Sequence, residues 1–390
     1  MNYLQNLALA ADLLESSSSD SEDEELLEVL TNRRRVTQPK VVNFINDVVH
    51  SYDDEEFRRN FRVQRAVSYK LIADYEKSAH YPKNQHHGGR KQKTPEEHIL
   101  AFLWFAGNKS CLRDVASRFN MAKSTLHCAT ERVASFLDEI CPRVIKFPNT
   151  SEEKAASAEK FEKASFFYIS GFPNVFGCID GSYIETRCPA HKIRSTYVNR
   201  HDKPAFTLQA ICDADRKFLD VFCGPPGKTH DAKVFKLSFI KDELPEICCA
   251  GKYHILGDAA YPVREHLITP FRDYGKMTQA QRDFNFKLSQ TRVKIENAFG
   301  MMKARFRQLM LLEFWKVKKA TKFMLTCCVL HNLCILNGDD DFPPEEENDK
   351  KRKRKDDDEE DDEEEQSETL LRKLGERKRA NLVRRLQRRP

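Results

Sequence analysis

Four carboxylates stand among residue types that make them unusual. Asp180 closes the apolar run VFGCID, and Asp258 closes YHILGD. A carboxylate at the lip of an apolar strand is costly to desolvate unless a cation meets it. If both runs are strands, alternate residues share a face. Asp180 then lies with Cys178 and Phe176, Asp258 lies with Leu256 and His254, and Glu185 falls on the face opposite Asp180. Glu296 sits in QTRVKIENAFGMMKARFRQLM, where Val293, Ala298, Phe299, Met302, Phe306 and Leu309 form an apolar stripe at helical spacing. It borders that stripe, and Lys303, seven residues on, returns to nearly the same side. Alone, Glu296 reads as a solvated helix acid. Beside two strand-end aspartates it becomes a candidate ligand.

Hard oxygen donors without a matching Cys/His set favour Mg²⁺ or Mn²⁺ over zinc. Two such ions about 4 Å apart activate a water and stabilise the leaving oxygen of an in-line phosphoryl displacement. They also offset the mutual repulsion that would raise the pKa values of clustered carboxylates. On this reading Asp258 meets a divalent cation shared with Asp180 and Glu296. Asp231, in GPPGKTHDAKVF, has two readings. It either favours the positive end of a helix capped by Thr229 or supplies a fourth ligand. His230 is a weaker candidate, as a general base. Asp213 and Asp215 occupy a hairpin turn, where aspartate is ordinary. Cys327, His331 and Cys334 are spaced i, i+4, i+7, but no fourth zinc ligand is evident and TCCVLHNLC reads as a buried helix.

The elements that must position these groups show in the periodicity. Residues 1–35 are acidic and serine-rich, and are read as a disordered tail. From 36 to 165 the pattern is helical and basic. From about 170 to 275 short β-branched and aromatic runs alternate with Gly and Pro breaks, and AFTLQAICDADRKFLDVFCG reads as a hairpin with its turn at Asp213–Lys217. Helical spacing returns from 278 to 337, and 338–390 reads as a charged, low-complexity tail. Strands followed by helices argue for an α/β fold, a mixed sheet covered by helices. Within about 94–140, Val115, Ala116 and Phe119 pack inward from a short helix, NMAK turns, and Ser124 is a candidate cap for a helix carrying Leu126, Val133 and Phe136. That is the helix-turn-helix pattern. Its second helix can enter a major groove, with Lys123, Ser124, Thr125 and His127 as contact candidates. The plainer reading is a helical bundle.

Bulk composition narrows the class. In 390 residues the apolar share is 40% and the charged share 32%, which allows real cores plus polar, unstructured sequence. No run of about 18 apolar residues is apparent, so a membrane partner is not expected. The N-terminus lacks the basic region of a secretory signal. The 12 cysteines show no framework spacing and suit buried thiols in a reducing compartment. The net charge of +5 is segregated: Ser16–Glu25 is acidic, KKRKRK (350–355) basic, DDDEEDDEEE (356–365) acidic, and the last residues Arg-rich. The basic block reads as a nuclear import signal and makes the import machinery a partner, with the nucleus the expected compartment and the cytoplasm a second one. Ser16–Ser21 read as phosphorylatable.

GCIDGSYIE, YVNRHDKPAFTLQAICD, GPPGKTHDAKVF, LGDAAYP and IENAFGMMKARFR, in that order and spacing, resemble the PIF/Harbinger transposases and the nucleases derived from them, within the DDE endonuclease superfamily. GGRKQKTPEEHILAFLWFAGN and FNMAKSTLH upstream, and CCVLHNLCIL downstream, extend the likeness to roughly residues 85–337. The resemblance implies an RNase H-like fold, with a nuclease domain over 170–337. It implies an acidic triad of Asp180, Asp258 and Glu296 holding Mg²⁺ or Mn²⁺, and it tips Asp231 towards an added metal position. It also implies DNA as substrate and a separate Myb-like DNA-binding helper. Lys303, Arg305, Arg307 and Arg200 are candidates for backbone contact. The expectation is a two-metal endonuclease of Harbinger transposase type. The alternative is a domesticated, non-cleaving DNA-binding or chromatin-associated protein. A phosphatase for small phosphoesters fits the basic, helical flank poorly.

Overall fold

The computed structural model describes residues 39–83, 92–163, 172–340, 342 and 366–387. The 1–35 tail, Ser16–Ser21, the basic block 350–355, the acidic run 356–365 and residues 88–91 of GGRKQK lie outside the described residues.

Helices build the first part. They are α1 (Phe44–Asp47), a 3₁₀ turn at Val49–Ser51, α2 (Asp54–Phe61), α3 (Arg65–Lys77), α4 (Pro95–Gly107), α5 (Leu112–Arg118), α6 (Lys123–Val144) and α7 (Ser151–Lys163). Local chemistry sets their starts. The Asp53 carboxylate accepts from Glu56 N, and Thr94 and Glu97 form a capping box with Pro95 in the first turn of α4. Val115, Ala116 and Phe119 are buried at the α5 end, as are Leu126, Val133 and Phe136 on α6. The cap of α6 differs from expectation. Its N-cap is Ala122, with no side-chain cap, and Ser124 lies exposed in the first turn.

The sheet follows, with β1 (Val175–Glu185), α8 (Arg194–Tyr197), β2 (Ala205–Cys212), β3 (Phe218–Pro226), α9 (Asp231–Leu237), α10 (Ile240–Ile247), β4 (His254–Leu256) and β5 (Leu267–Ile268). Its order is β3-β2-β1-β4-β5. β1, β2 and β3 pair antiparallel, while β4 joins β1, and β5 joins β4, in parallel. This mixed sheet with flanking helices is an α/β arrangement consistent with the DDE endonuclease fold. Asp213 holds the hairpin turn, its Oδ1 accepting from Asp215 N and Lys217 N at 3.0 and 2.9 Å.

The long helix α11 (Gln279–Arg305) crosses β1, starting from a Thr278/Gln281 capping box. A 3₁₀ turn (Arg307–Met310) leads to α12 (Val317–Leu336). Its 20 residues make α12 the one helix among the described residues long and apolar enough to cross a bilayer, although no such run is apparent by eye. Of its apolar window, 72% is buried inside the protein, against α6 and β3. It is apolar all round because it is a core helix. His331 is buried in this helix, where its Nε2 meets Arg216 O at 2.9 Å and its ring packs on Phe218.

One apolar core runs from Phe44 through the sheet to Leu386. Phe102 and Phe105 of α4 meet Phe323 of α12 at 6.1 and 5.8 Å. The helical part and the sheet therefore share their interior. A smaller cluster around Phe176, Ile179, Ile211, Phe235 and Ile240 fills the other sheet face.

The C-terminal stretch departs from expectation. Within the residues read as a charged tail, 366–387 form α13 (Gln366–Gln387). Leu382 and Leu386 are buried. Lys378 Nζ donates to the carbonyls of Gly251, Tyr253 and Glu265 at 2.7, 3.1 and 2.7 Å, one acceptor for each ammonium proton. Arg379 donates to Thr269 O and Pro270 O, with its guanidinium 4.1 Å from the Phe271 ring centre. Gly375 lets the helix lie on the Arg264 backbone, which a Cβ would meet at 2.7 Å.

Candidate active site

Sheet register brings two of the acids to one level. Cys178 and Leu256 are parallel partners on β1 and β4. Two residues further along each chain stand Asp180 and Asp258. Cys178 and Leu256 both belong to the large core that includes α11 residues. Phe176 does not share that face: the register slips between Val175 and Gly177, and Phe176 turns into the smaller cluster. Beyond β4 the chain turns at once, Asp258 Oδ1 accepting from Ala260 N at 3.0 Å.

α11 lies over this level, tied down by a Cys178 thiol contact to Thr291 O at 3.6 Å. Arg292 reaches Asp180, with Nη2 2.9 Å from Oδ2 and both side chains nearly buried. The other oxygen of Asp180, Oδ1, accepts from Gly181 N at 2.9 Å. Glu296 is one turn beyond Arg292 on the same side of α11 and is half-buried. Val293, expected in the apolar stripe, is 41% exposed instead. Ile295 takes the inward position.

Asp231 approaches from the other side of β1. It is the first residue of α9, whose N-cap is His230 rather than the expected neighbourhood of Thr229. A Cβ on Gly181 would lie 2.6 Å from Asp231 Oδ1. The missing side chain of Gly181 is therefore what admits this carboxylate to β1. Buried Tyr261 stands close by, its hydroxyl 3.4 Å from Gln209 Oε1. Burial pushes its phenol well above the ordinary range, and the Asp231 and Asp180 carboxylates push the same way while Arg292 opposes. One phenol thus senses both acids and keeps its proton. Gln209 is held in turn by Ser238, at 3.2 Å.

The donor types suit a hard divalent cation, but the side chains as arranged do not form a closed cage. Among the described residues, no three His, Cys, Asp or Glu side chains are grouped to hold a metal ion. For Asp180 the cation in place is the Arg292 guanidinium.

The expected nucleic-acid contacts are scattered. Lys123, Ser124 and Thr125 are exposed at the start of α6, while His127 meets Lys319 at 2.9 Å. Arg200 is exposed, 5.7 Å from the Tyr183 ring centre. Lys303 and Arg307 are half-buried. Arg305 cannot touch a backbone phosphate. It is 1% exposed and bonds Asp339 and Arg62 O at 2.7 and 2.8 Å.

Residues 179–332 match the family described as DDE superfamily endonuclease. The chain is 28% identical over 254 residues to the ALP1-like protein of Arabidopsis thaliana, covering 61% of this chain and 60% of that one. It is 28% identical over 249 residues to HARBI1 of Bos taurus, named as a candidate nuclease, covering 63% and 68%. It is 27% identical over 265 residues to the Arabidopsis thaliana protein named Antagonist of Like Heterochromatin Protein 1, covering 64% and 65%. The chain thus spans only about three fifths of the ALP1-like relative. No solved structure matches. The segment 179–332, which contains most of the mixed sheet, is similar to a DDE superfamily endonuclease. The likeness extends to relatives that include HARBI1 and the ALP1-like protein.

Reading the sequence missed Arg292, Gly181 and Tyr261. Signals existed for two of them. Arg292 precedes Glu296 by four residues, hence shares its side of the helix, and a glycine inside an apolar strand marks a close approach.

Proposed function

We propose that this protein is a divalent-metal-dependent endonuclease acting on DNA phosphodiesters, with Asp180, Asp258, Glu296 and Asp231 as the residues that would hold Mg²⁺ or Mn²⁺. The observation that carries the reading is the nearness in register of Asp180 and Asp258. Asp180 lies on β1, Asp258 lies two residues past the end of the parallel strand β4, and the Glu296-bearing helix α11 packs on β1. With metal bound, the chemistry supplied is activation of a water or 3′-hydroxyl and stabilisation of the leaving oxygen. The chain's own groups do the positioning. Gly181 N and Arg292 fix the two oxygens of Asp180, Ala260 N fixes Asp258, and Gly181 makes room for Asp231. Lys303, Arg307 and Arg200 are the remaining candidates for phosphate contact, and Lys123, Ser124 and Thr125 for groove contact.

DNA, a Myb-like helper and the nuclear import machinery are the partners proposed, with a nuclear location resting on the block at 350–355. The Asp180–Arg292 pair favours a second reading, a chromatin-associated protein that binds DNA without cutting it. The two separate in one assay. Purified protein should nick duplex DNA with Mg²⁺ or Mn²⁺, and Asp258→Asn should abolish nicking while leaving salt-sensitive binding intact. Equal cutting by wild type and variant removes this site. Binding with no cutting under any metal or helper condition selects the second reading.

A further inference from the structure

Trp315 is a large aromatic side chain that the fold leaves outside. It is 65% exposed, whereas the protein's other tryptophan, Trp104, is 9% exposed. Its backbone is held firmly. Leu312 N donates to Glu185 O at 2.8 Å, Arg187 N to Leu312 O at 2.9 Å, and Ala190 N to Trp315 O at 3.0 Å. Phe314 turns inward against Phe105 and Phe323. The indole therefore projects from a rigid base, with Ile193, 72% exposed, in the same pinned segment.

The charge around it is mainly positive. Arg187 pairs with Glu313 at 3.7 Å, Lys203 with Glu185, and Lys319 with Glu131 at 3.6 Å, all at exposed or half-exposed positions. Residues 186–203 carry Arg187, Lys192, Arg194, Arg200 and Lys203 against Asp202, and 311–322 carry four lysines against Glu313. The Arg187 guanidinium lies 6.0 Å from the Trp315 ring centre. α12 begins here with Lys316 as N-cap, no side-chain cap and no acid in its first turn, where Lys318 and Lys319 also lie. Cations at a helix N-terminus oppose the macrodipole, so their placement does not serve the helix. Lys319 meets His127 in the second turn of α6, another helix without a side-chain cap. Two helix N-termini without side-chain caps thus adjoin one cationic, aromatic surface.

We propose that this surface receives unpaired DNA, one base stacking on Trp315 and the flanking phosphates meeting Arg187, Arg194, Lys316 and Lys318. Charge complementarity selects a polyanion, and the exposed indole selects one with π-faces. An intact duplex offers no free base face, whereas a strand opened beside a cut does. The proposal rests on the nuclease reading only in taking DNA as the polyanion.

The test is binding in EDTA, so its outcome is independent of cleavage. A labelled oligo-dT and the corresponding duplex are titrated while Trp emission is followed. Oligo-dT should quench the exposed tryptophan saturably, and the duplex should bind with less quenching. Trp315→Leu should remove the quenching, leave Trp104 emission unchanged, and weaken oligo-dT by about 10-fold. Lys316→Glu with Lys318→Glu should flatten the log–log salt slope by about 1.4. Oligo-dT affinity unchanged by Trp315→Leu overturns the stacking. Heparin or an acidic peptide binding as tightly as oligo-dT overturns the choice of nucleic acid. Loss of cleavage by Asp258→Asn without loss of quenching leaves this surface standing, and the reverse pattern removes it alone.

Discussion

Gly181→Ala separates the geometry of the proposed site from the stability of the fold. The added Cβ would stand 2.6 Å from Asp231 Oδ1, 3.5 Å from its Cγ and 3.7 Å from Thr207 Cγ2. Ordinary contact begins near 3.5 Å, so the carboxylate must retreat by about 1 Å. A misplacement of that size at a reacting centre costs on the order of 10²-fold, equivalent to about 2.7 kcal/mol of barrier. Folding should respond in the opposite sense. The backbone here is extended, and replacing glycine restricts the unfolded chain, worth about 0.4–1 kcal/mol in favour of the native state. The variant should melt at or above the wild-type temperature while single-turnover cleavage of a labelled duplex falls about 100-fold. The double variant with Asp231→Ala refines the test. Once the carboxylate is gone the new methyl has nothing to displace, so the second change should add no further loss. Cleavage within about threefold of wild type would refute the reasoning. So would a full loss added on top of Asp231→Ala.

Acid should unfold the protein through its buried histidines. Burial lowers His98, His266 and His331 to about 4 each. The unfolded chain binds their protons near 6.5, so stability is complete above that pH and is lost as pH falls from 6.5 towards 4. At 1.36 kcal/mol per pH unit the loss is about 3 kcal/mol for each histidine. Urea midpoints at pH 7.5, 6 and 5 check this, and a flat series contradicts it. Asp339→Ala should cost about 3–5 kcal/mol, because it leaves buried Arg305 without its carboxylate. The paired change Arg305→Met with Asp339→Leu should recover most of it, read by thermal unfolding.

What the sequence makes legible depends on the range of the forces involved. The hairpin at Asp213, the strand that stops just before Asp258, and the helices α4 to α6 follow from periodicity and turn chemistry within a few residues. By contrast, β1 runs five residues past Asp180 to Glu185. β5 spans only Leu267–Ile268, too short for any pattern. α13 reads as a charged tail because its docking depends on three carbonyls more than a hundred residues away meeting Lys378. Arg305 and Lys303 look alike in sequence, and only Asp339, 34 residues on, distinguishes the buried one. Glu296 gained weight only beside Asp180 and Asp258, and Asp231 only through the resemblance. Asp180 and Asp258 were legible because each breaks an apolar pattern. Their neighbours were not: Arg292 against Asp180 is a contact between a helix and a strand more than a hundred residues apart.

The docking of α13 ties the last described stretch of the chain to the sheet edge. Lys378 and Arg379 hold it there. Removing α13 would strip Gly251 O, Tyr253 O and Glu265 O of a charged donor and uncover the apolar surface that Leu382 and Leu386 close. The last described helix is thus a working part of the sheet's edge, and a truncation before residue 366 should lower the melting temperature.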